Sequence, residues 1–100
     1  MEKRRAHYSL AAVIAVVRQR KAAAFTKSAM DGGRSMGLTI SEMIDVVCAL
    51  ESHHLYKSMT TYADNTVWQD VYHADTWAGK AYIKLTFRDD GAPVIQFKEL

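Results

Sequence analysis

A run of lysines, hydroxyls and one tyrosine, alternating with apolar residues near the end of the chain, is where this sequence carries its chemistry. Between residues 80 and 88, Ala81, Ile83, Leu85 and Phe87 alternate with Lys80, Tyr82, Lys84, Thr86 and Arg88. Successive side chains of a strand point to opposite faces, so this pattern makes one apolar face and one row of cations and hydroxyls. A further strand over residues 93–98 sets Ile95 and Phe97 against Val94, Gln96 and Lys98. A hairpin between the two puts Tyr82, Lys84 and Lys98 on a common face, and Gln69 and His73 share one side of the strand before them. Such a face suits a polyanion whose bases need flat or hydrogen-bonding partners. It is equally the ordinary solvated face of a half-exposed sheet, and alternation alone does not separate the two readings.

Several common chemistries are missing. The chain has no Gly-rich phosphate loop, nucleophile elbow, His-Glu-x-x-His helix or paired-cysteine metal pattern, which removes the usual nucleotide, hydrolase and zinc readings. His53 and His54 are adjacent but lack partners at zinc spacing, so neither a metal nor a cofactor is expected. Cys48 is the only cysteine; it cannot close an intramolecular disulfide, and a reducing compartment, the cytoplasm, is the expected location. Cys48, Trp68 and Tyr72 read as packing residues.

The elements that must position the polar face follow from caps and periodicity. Ser9 caps a first helix running to about residue 21, with Leu10, Val13, Ile14 and Val17 at the spacing of a buried stripe. Thr26 caps a second helix that stops before Gly37; Gly32 and Gly33 each cost about 1 kcal/mol relative to alanine, so only a turn or two is expected there. Thr39 and Glu42 have capping-box spacing ahead of the stripe Ile40, Met43, Ile44 and Val47, giving a third helix to about residue 50. From residue 66 the pattern turns to β-branched and aromatic residues, with a strand over 66–73, then the strand over 80–88, turn chemistry at Asp89, Asp90 and Gly91, and the final strand. The expected architecture is α+β: N-terminal helices packed on a C-terminal antiparallel sheet.

The chain has 100 residues, 49% of them hydrophobic and 24% charged, with no repeat, low-complexity tract or linker, so a single domain over 1–100 is expected. Its formal charge of +2 is mildly basic and admits nucleic acid without arguing for it by amount. The N-terminal run Leu10 to Val17 follows Lys3, Arg4 and Arg5 in the manner of a signal peptide, but Arg18, Arg20 and Lys21 occupy the place of a small, neutral cleavage region. No apolar stretch is long enough to span a membrane.

The stretch Tyr56, Lys57, Ser58, Met59, Thr60, Thr61, Tyr62, followed by Thr66, Val67, Trp68, Gln69, Asp70, Val71 and Tyr72, closely resembles the central signature of the MqsR toxins. The resemblance extends to Met1, Glu2, Lys3 and Arg4, to Gly79, Ala81, Tyr82, Ile83 and Lys84, and to Phe97, Lys98 and Glu99 at the end. It implies a RelE-like α+β toxin fold and a metal-independent endoribonuclease that cuts messenger RNA at GC-containing trinucleotides such as GCU. It also implies an MqsA-like antitoxin with a zinc-binding, toxin-contacting domain and a helix-turn-helix domain, with promoter DNA reached only through the complex.

By the same resemblance the catalytic positions are Lys57, Gln69, Tyr82 and Lys98, with Met59, His73 and Lys84 on the substrate side. His73 is a departure, because relatives carry an arginine there; histidine keeps hydrogen bonding but is only partly cationic near pH 7. Lys57 and Lys98 are assigned to stabilising phosphorane charge, Tyr82 to the scissile phosphate or leaving group, and Gln69 to the ribose or a base edge. The general base is either a lysine of depressed pKa or His73. Two other classes compete: a nucleic-acid-binding module without catalysis, and an interaction protein whose only partner is the antitoxin. Free sheet edges would give that partner a place to add a strand.

Overall fold

The computed structural model describes residues 1–100 as three helices packed on one face of a five-stranded antiparallel sheet. The strands are β1 (Glu2–Lys3), β2 (Leu55–Thr60), β3 (Trp68–Thr76), β4 (Gly79–Phe87) and β5 (Pro93–Glu99), in that spatial order. The helices α1 (Leu10–Arg20), α2 (Lys27–Met36) and α3 (Ile40–Cys48) are all inserted between β1 and β2. The α+β architecture is the one the sequence predicts. No helix is long and apolar enough to cross a membrane.

Each helix starts where a side chain accepts an otherwise unpaired backbone N–H. Ser9 accepts from Ala12 N, Thr26 from Ala29 N and Thr39 from Glu42 N, and the Glu42 carboxylate accepts Thr39 N in return. These are the caps expected of Ser, Thr and Glu at such positions. Val13 and Val17 of α1 and Met43 and Val47 of α3 are buried, and they meet Tyr72, Ile83, Leu85, Ile95 and Phe97 from the apolar face of the sheet. Burying side chains of this size is worth roughly 1.5–3 kcal/mol each, which fixes the sheet's other face as the solvent-facing one.

Two expectations are corrected. The sheet has five strands instead of three, because residues 55–60 and the first residues of the chain also join it. The register of β2 on β3 shifts between Leu55 and Lys57, so Tyr56 is bulged out and the alternation that marks a strand is broken. The buried position of β2 is also polar, Ser58, which hides its inward face from a hydrophobicity pattern.

The second correction concerns α2, which spans ten residues despite its paired glycines. A Cβ on Gly32 would run into the Phe97 carbonyl oxygen of β5, and one on Gly33 would run into the Met43 side chain. The glycines therefore let α2 lie against the sheet edge and against α3, and tertiary contact outweighs their low helix propensity. Thr26 N donates to Ile95 O at 3.2 Å, and Phe25 bridges to Ile95 in parallel, so the segment 25–33 flanks the outer edge of β5. That edge is thereby closed to a partner strand along much of its length.

Gly32→Ala is expected to lower stability by roughly 1–3 kcal/mol, since overpacking against backbone outweighs the ~1 kcal/mol gained in helix propensity. Gly33→Ala should cost less, because the atoms it meets are the flexible end of a methionine. Urea midpoints of the two variants provide the comparison, and a Gly32→Ala protein as stable as the parent refutes the close-packing account.

Candidate active site

The outward face of the sheet carries the polar residues in cross-strand rows. One row pairs His73, Tyr82 and Lys98 across β3, β4 and β5. The adjacent row pairs Lys57, Val71, Lys84 and Gln96 across β2 to β5. A third pairs Glu2 with Met59 and Met59 with Gln69. Rows on one face are two residues apart, or roughly 6.6 Å along a strand.

Tyr82 is the centre of the first row, and Lys84 follows it in the second. Lys98 Nζ lies 5.1 Å from the Tyr82 ring centroid, and the His73 ring lies 5.9 Å away on the other side. Tyr82, Lys84 and Lys98 line a cavity of about 140 Å³ together with Gln96, Phe97 and the first turn of α2, Ser28 and Ala29. Tyr56, bulged from β2 and half exposed, stacks on His73 at 4.4 Å and 14°, so the aromatic row runs Tyr56, His73, Tyr82.

The lysines differ in electrostatic state. Lys57 Nζ donates to the Glu2 carboxylate at 2.6 Å, and this hydrogen bond holds the ammonium above the usual lysine pKa; nearby Tyr56 and Tyr82 add to the effect, while burial opposes it. Lys57 is thus a fixed positive charge within electrostatic reach of Tyr82. Lys84 makes no ion pair, and burial, with Lys98 as a second cause, pushes its pKa below the usual lysine value. A charged lysine and one more easily deprotonated therefore occupy the same row, which is the division of labour that general acid–base chemistry needs.

A buried hydrogen-bond cluster holds the face in register. Asp70, 1% exposed, accepts His7 N at 3.0 Å, Tyr8 N at 2.8 Å and the Ser58 hydroxyl at 2.6 Å. The Tyr8 hydroxyl donates to Trp68 O at 2.8 Å, and Trp68 is covered by the His7 ring and by the Lys3 ammonium, 4.2 Å from its centroid. These contacts clip the N-terminal segment onto β2 and β3, which brings Glu2 beside Lys57.

Residues 5–99 match the family described as motility quorum-sensing regulator, toxin of MqsA. The chain belongs to the MqsR toxin family. It is also 38% identical over 99 residues to the mRNA interferase toxin MqsR of Escherichia coli (strain K12), covering 99% of each chain. In this MqsR-family chain, the fold brings Lys57, His73, Tyr82, Lys84 and Lys98 together in two adjoining rows. Gln69 and Met59 sit one row beyond Lys57 and two rows from Tyr82, roughly 13 Å along the strands.

Sequence reasoning on its own did not single out Glu2, Tyr56, Ser58 or Asp70 as members of the site. The signal for Ser58 and Asp70 is a short polar residue opposite a carboxylate on paired strands, and it is readable only once residues 55–60 are recognised as a strand. Tyr72 is buried, as its packing reading predicts, and burial pushes its hydroxyl up to about 12, with Asp70 contributing.

Proposed function

We propose that this MqsR-family chain is a metal-independent endoribonuclease that cuts messenger RNA at GC-containing trinucleotides such as GCU and is neutralised by a cognate antitoxin. The observation that carries the reading is Tyr82 with the Lys98 ammonium 5.1 Å from its ring and Lys84 beside it on the same outward face, while Lys57 stands in the adjoining row. The mRNA interferase activity of the Escherichia coli relative supports it.

Cleavage without a metal needs three things: a proton must leave the ribose 2′-hydroxyl, charge on the pentacoordinate phosphorus must be balanced, and the departing 5′-oxygen must be protonated. Lys84 takes the 2′ proton in its neutral form, and the 2′-oxygen attacks the adjacent phosphorus in line with the bond to the 5′-oxygen. Lys57 and Lys98 balance the phosphorane charge, a contribution of the oxyanion-hole kind. The Tyr82 hydroxyl hydrogen-bonds the phosphate and gives its proton to the leaving oxygen. The products are a 2′,3′-cyclic phosphate and a 5′-hydroxyl. Gln69, two rows away, is placed for the edge of a flanking base instead of the ribose at the cut. His73, held between Tyr56 and Tyr82, orients that aromatic row and makes a weaker phosphate contact than arginine would.

The pH dependence follows from Lys84. Its active form is neutral, so kcat rises with pH as Lys84 loses its proton; because the folded-state pKa is depressed, this rising limb lies below the pH an ordinary lysine would require. Lys84→Arg, which stays protonated, is expected to lose both the rise and most of the rate. A Lys84→Arg profile that parallels the parent's assigns the base elsewhere.

The cognate partner is an MqsA-like antitoxin with zinc-binding and helix-turn-helix domains, through which promoter DNA is reached. The test of the activity uses purified protein, an mRNA of little secondary structure and excess EDTA, with every new 5′ end mapped. Cuts clustered at GC-containing trinucleotides, stopped by stoichiometric antitoxin, are the expected result. Intact RNA that is nevertheless bound in a salt-sensitive way overturns it in favour of a non-catalytic binding module.

A further inference from the structure

A second cationic cleft lies along the same edge of the sheet as the Tyr82 cavity, with a volume of about 240 Å³. Arg20, from the end of α1, and Arg88, just past β4, line it together with Thr26, Pro93 and Val94. Both arginines are exposed, and neither is in an ion pair. The neighbouring turn carries Asp89 and Asp90, but neither lines the cleft.

The two clefts occupy one seam. Segment 25–33 runs parallel to β5, with Phe25 and Thr26 beside Ile95 and Gly32 against Phe97. The arginine cleft opens at the start of this seam beside Val94, and the Tyr82 cavity opens farther along beside Gln96 and Lys98. The separation from residue 94 to 98 is roughly 13 Å along the strand, the reach of about two or three nucleotides of extended chain. The N-terminus of α2 lies between them, since Thr26 lines one cleft and Ser28 the other, and it adds the positive end of a helix to the path. Arg20 also complements the C-terminal end of α1, but that role does not require Arg88 to share its cleft.

We infer that Arg20 and Arg88 form a subsite for the phosphates of RNA two or three nucleotides to one side of the cut, so that substrate runs along the seam between β5 and segment 25–33. Guanidinium groups suit this task because their planar donors pair with phosphate oxygens bidentately. The subsite rests on the ribonuclease reading above and adds a direction to it: contacts outside the recognised trinucleotide fall on one flank only.

The test compares kcat/KM for three oligonucleotides: one that barely exceeds the cleaved trinucleotide, and the same one extended by about four uridines on its 5′ side or its 3′ side. The parent is expected to prefer one extended form over the short one by roughly tenfold, and Arg20→Gln/Arg88→Gln should bring that ratio toward one. Binding of a 2′-O-methyl version of the preferred oligonucleotide should lose salt dependence in the variant, its log–log slope flattening by roughly 1.4 if two phosphate contacts go. Arg20→Lys/Arg88→Lys, which keeps the charge, should retain most of the preference. Cleavage with no flank preference in the parent, or with a preference indifferent to both arginines, overturns the subsite while leaving the ribonuclease standing. A double variant that keeps its RNA preference but binds antitoxin more weakly gives the cleft to a protein partner. Failure to cleave any of the three overturns both readings together.

Discussion

Lys98→Ala is expected to slow cleavage by roughly 100- to 1,000-fold, the loss that follows removal of one well-placed oxyanion donor. The side chain is exposed on β5, so its removal leaves the core untouched and changes stability by no more than about 0.5 kcal/mol. Its ammonium is free of any carboxylate and lies 5.1 Å from the Tyr82 ring, so its charge is available to whatever Tyr82 holds. A group that stabilises only the transition state lowers kcat with little change in KM; one that merely attracts RNA raises KM and leaves kcat alone. Single-turnover rates at saturating and limiting protein separate the two, and a Lys98→Ala variant with parental kcat removes Lys98 from the chemistry.

Lys57→Ala should be the more severe change. Lys57 is paired with Glu2 at 2.6 Å, so truncating it subtracts a cation and leaves an unpaired carboxylate where the proposed mechanism needs positive charge. Glu2→Gln in the Lys57→Ala background removes that carboxylate and should recover part of the loss. If the double variant is no better than the single one, Glu2 does not face the substrate and serves only to align β1.

The path from sequence to this arrangement was uneven, and the reasons are physical. The helix caps and the alternation of β4 and β5 were legible because each depends on residues close together in sequence. That alternation alone puts Tyr82, Lys84 and Lys98 on one face, and the register Tyr82↔Lys98 agrees with it. What stayed hidden depends on distant partners. The strand status of residues 55–60 turns on a bulge at Tyr56 and on Ser58 being bonded to Asp70. The full length of α2 turns on Gly32 meeting the Phe97 carbonyl. The difference between Lys57 and Lys84, two lysines of identical chemistry, comes from a residue at the start of the chain in one case and from burial beside Lys98 in the other. Family resemblance named Lys57, Gln69, Tyr82 and Lys98 together; the rows show that Gln69 stands apart from the other members.

The largest effect on the fold is expected from Asp70→Ala, a loss of roughly 3–5 kcal/mol out of the 5–15 kcal/mol typical of a domain. The carboxylate is buried and accepts three donors, the backbone N–H groups of His7 and Tyr8 and the Ser58 hydroxyl. Alanine leaves all of them without an acceptor; the Ser58 hydroxyl is buried and the two backbone N–H groups are part-buried, and an unsatisfied buried donor costs about 1–3 kcal/mol. Asparagine keeps one oxygen but turns an N–H₂ toward groups that are themselves donors, so Asp70→Asn should recover only part of the loss. Ser58→Ala, which removes a single donor and leaves the other two paired, should cost about 1 kcal/mol. Part of the penalty is escaped if residues 1–8 simply detach and rehydrate, and that escape has its own signature. The amides of His7 and Tyr8 would exchange with solvent rapidly while those of β3 and β4 stay protected, and Glu2 would no longer hold Lys57, so activity would fall even in the fraction that remains folded. Urea unfolding read beside hydrogen exchange therefore distinguishes global loss from local release, and an Asp70→Ala protein with parental stability and a protected N-terminal segment would falsify the anchoring role given to this carboxylate.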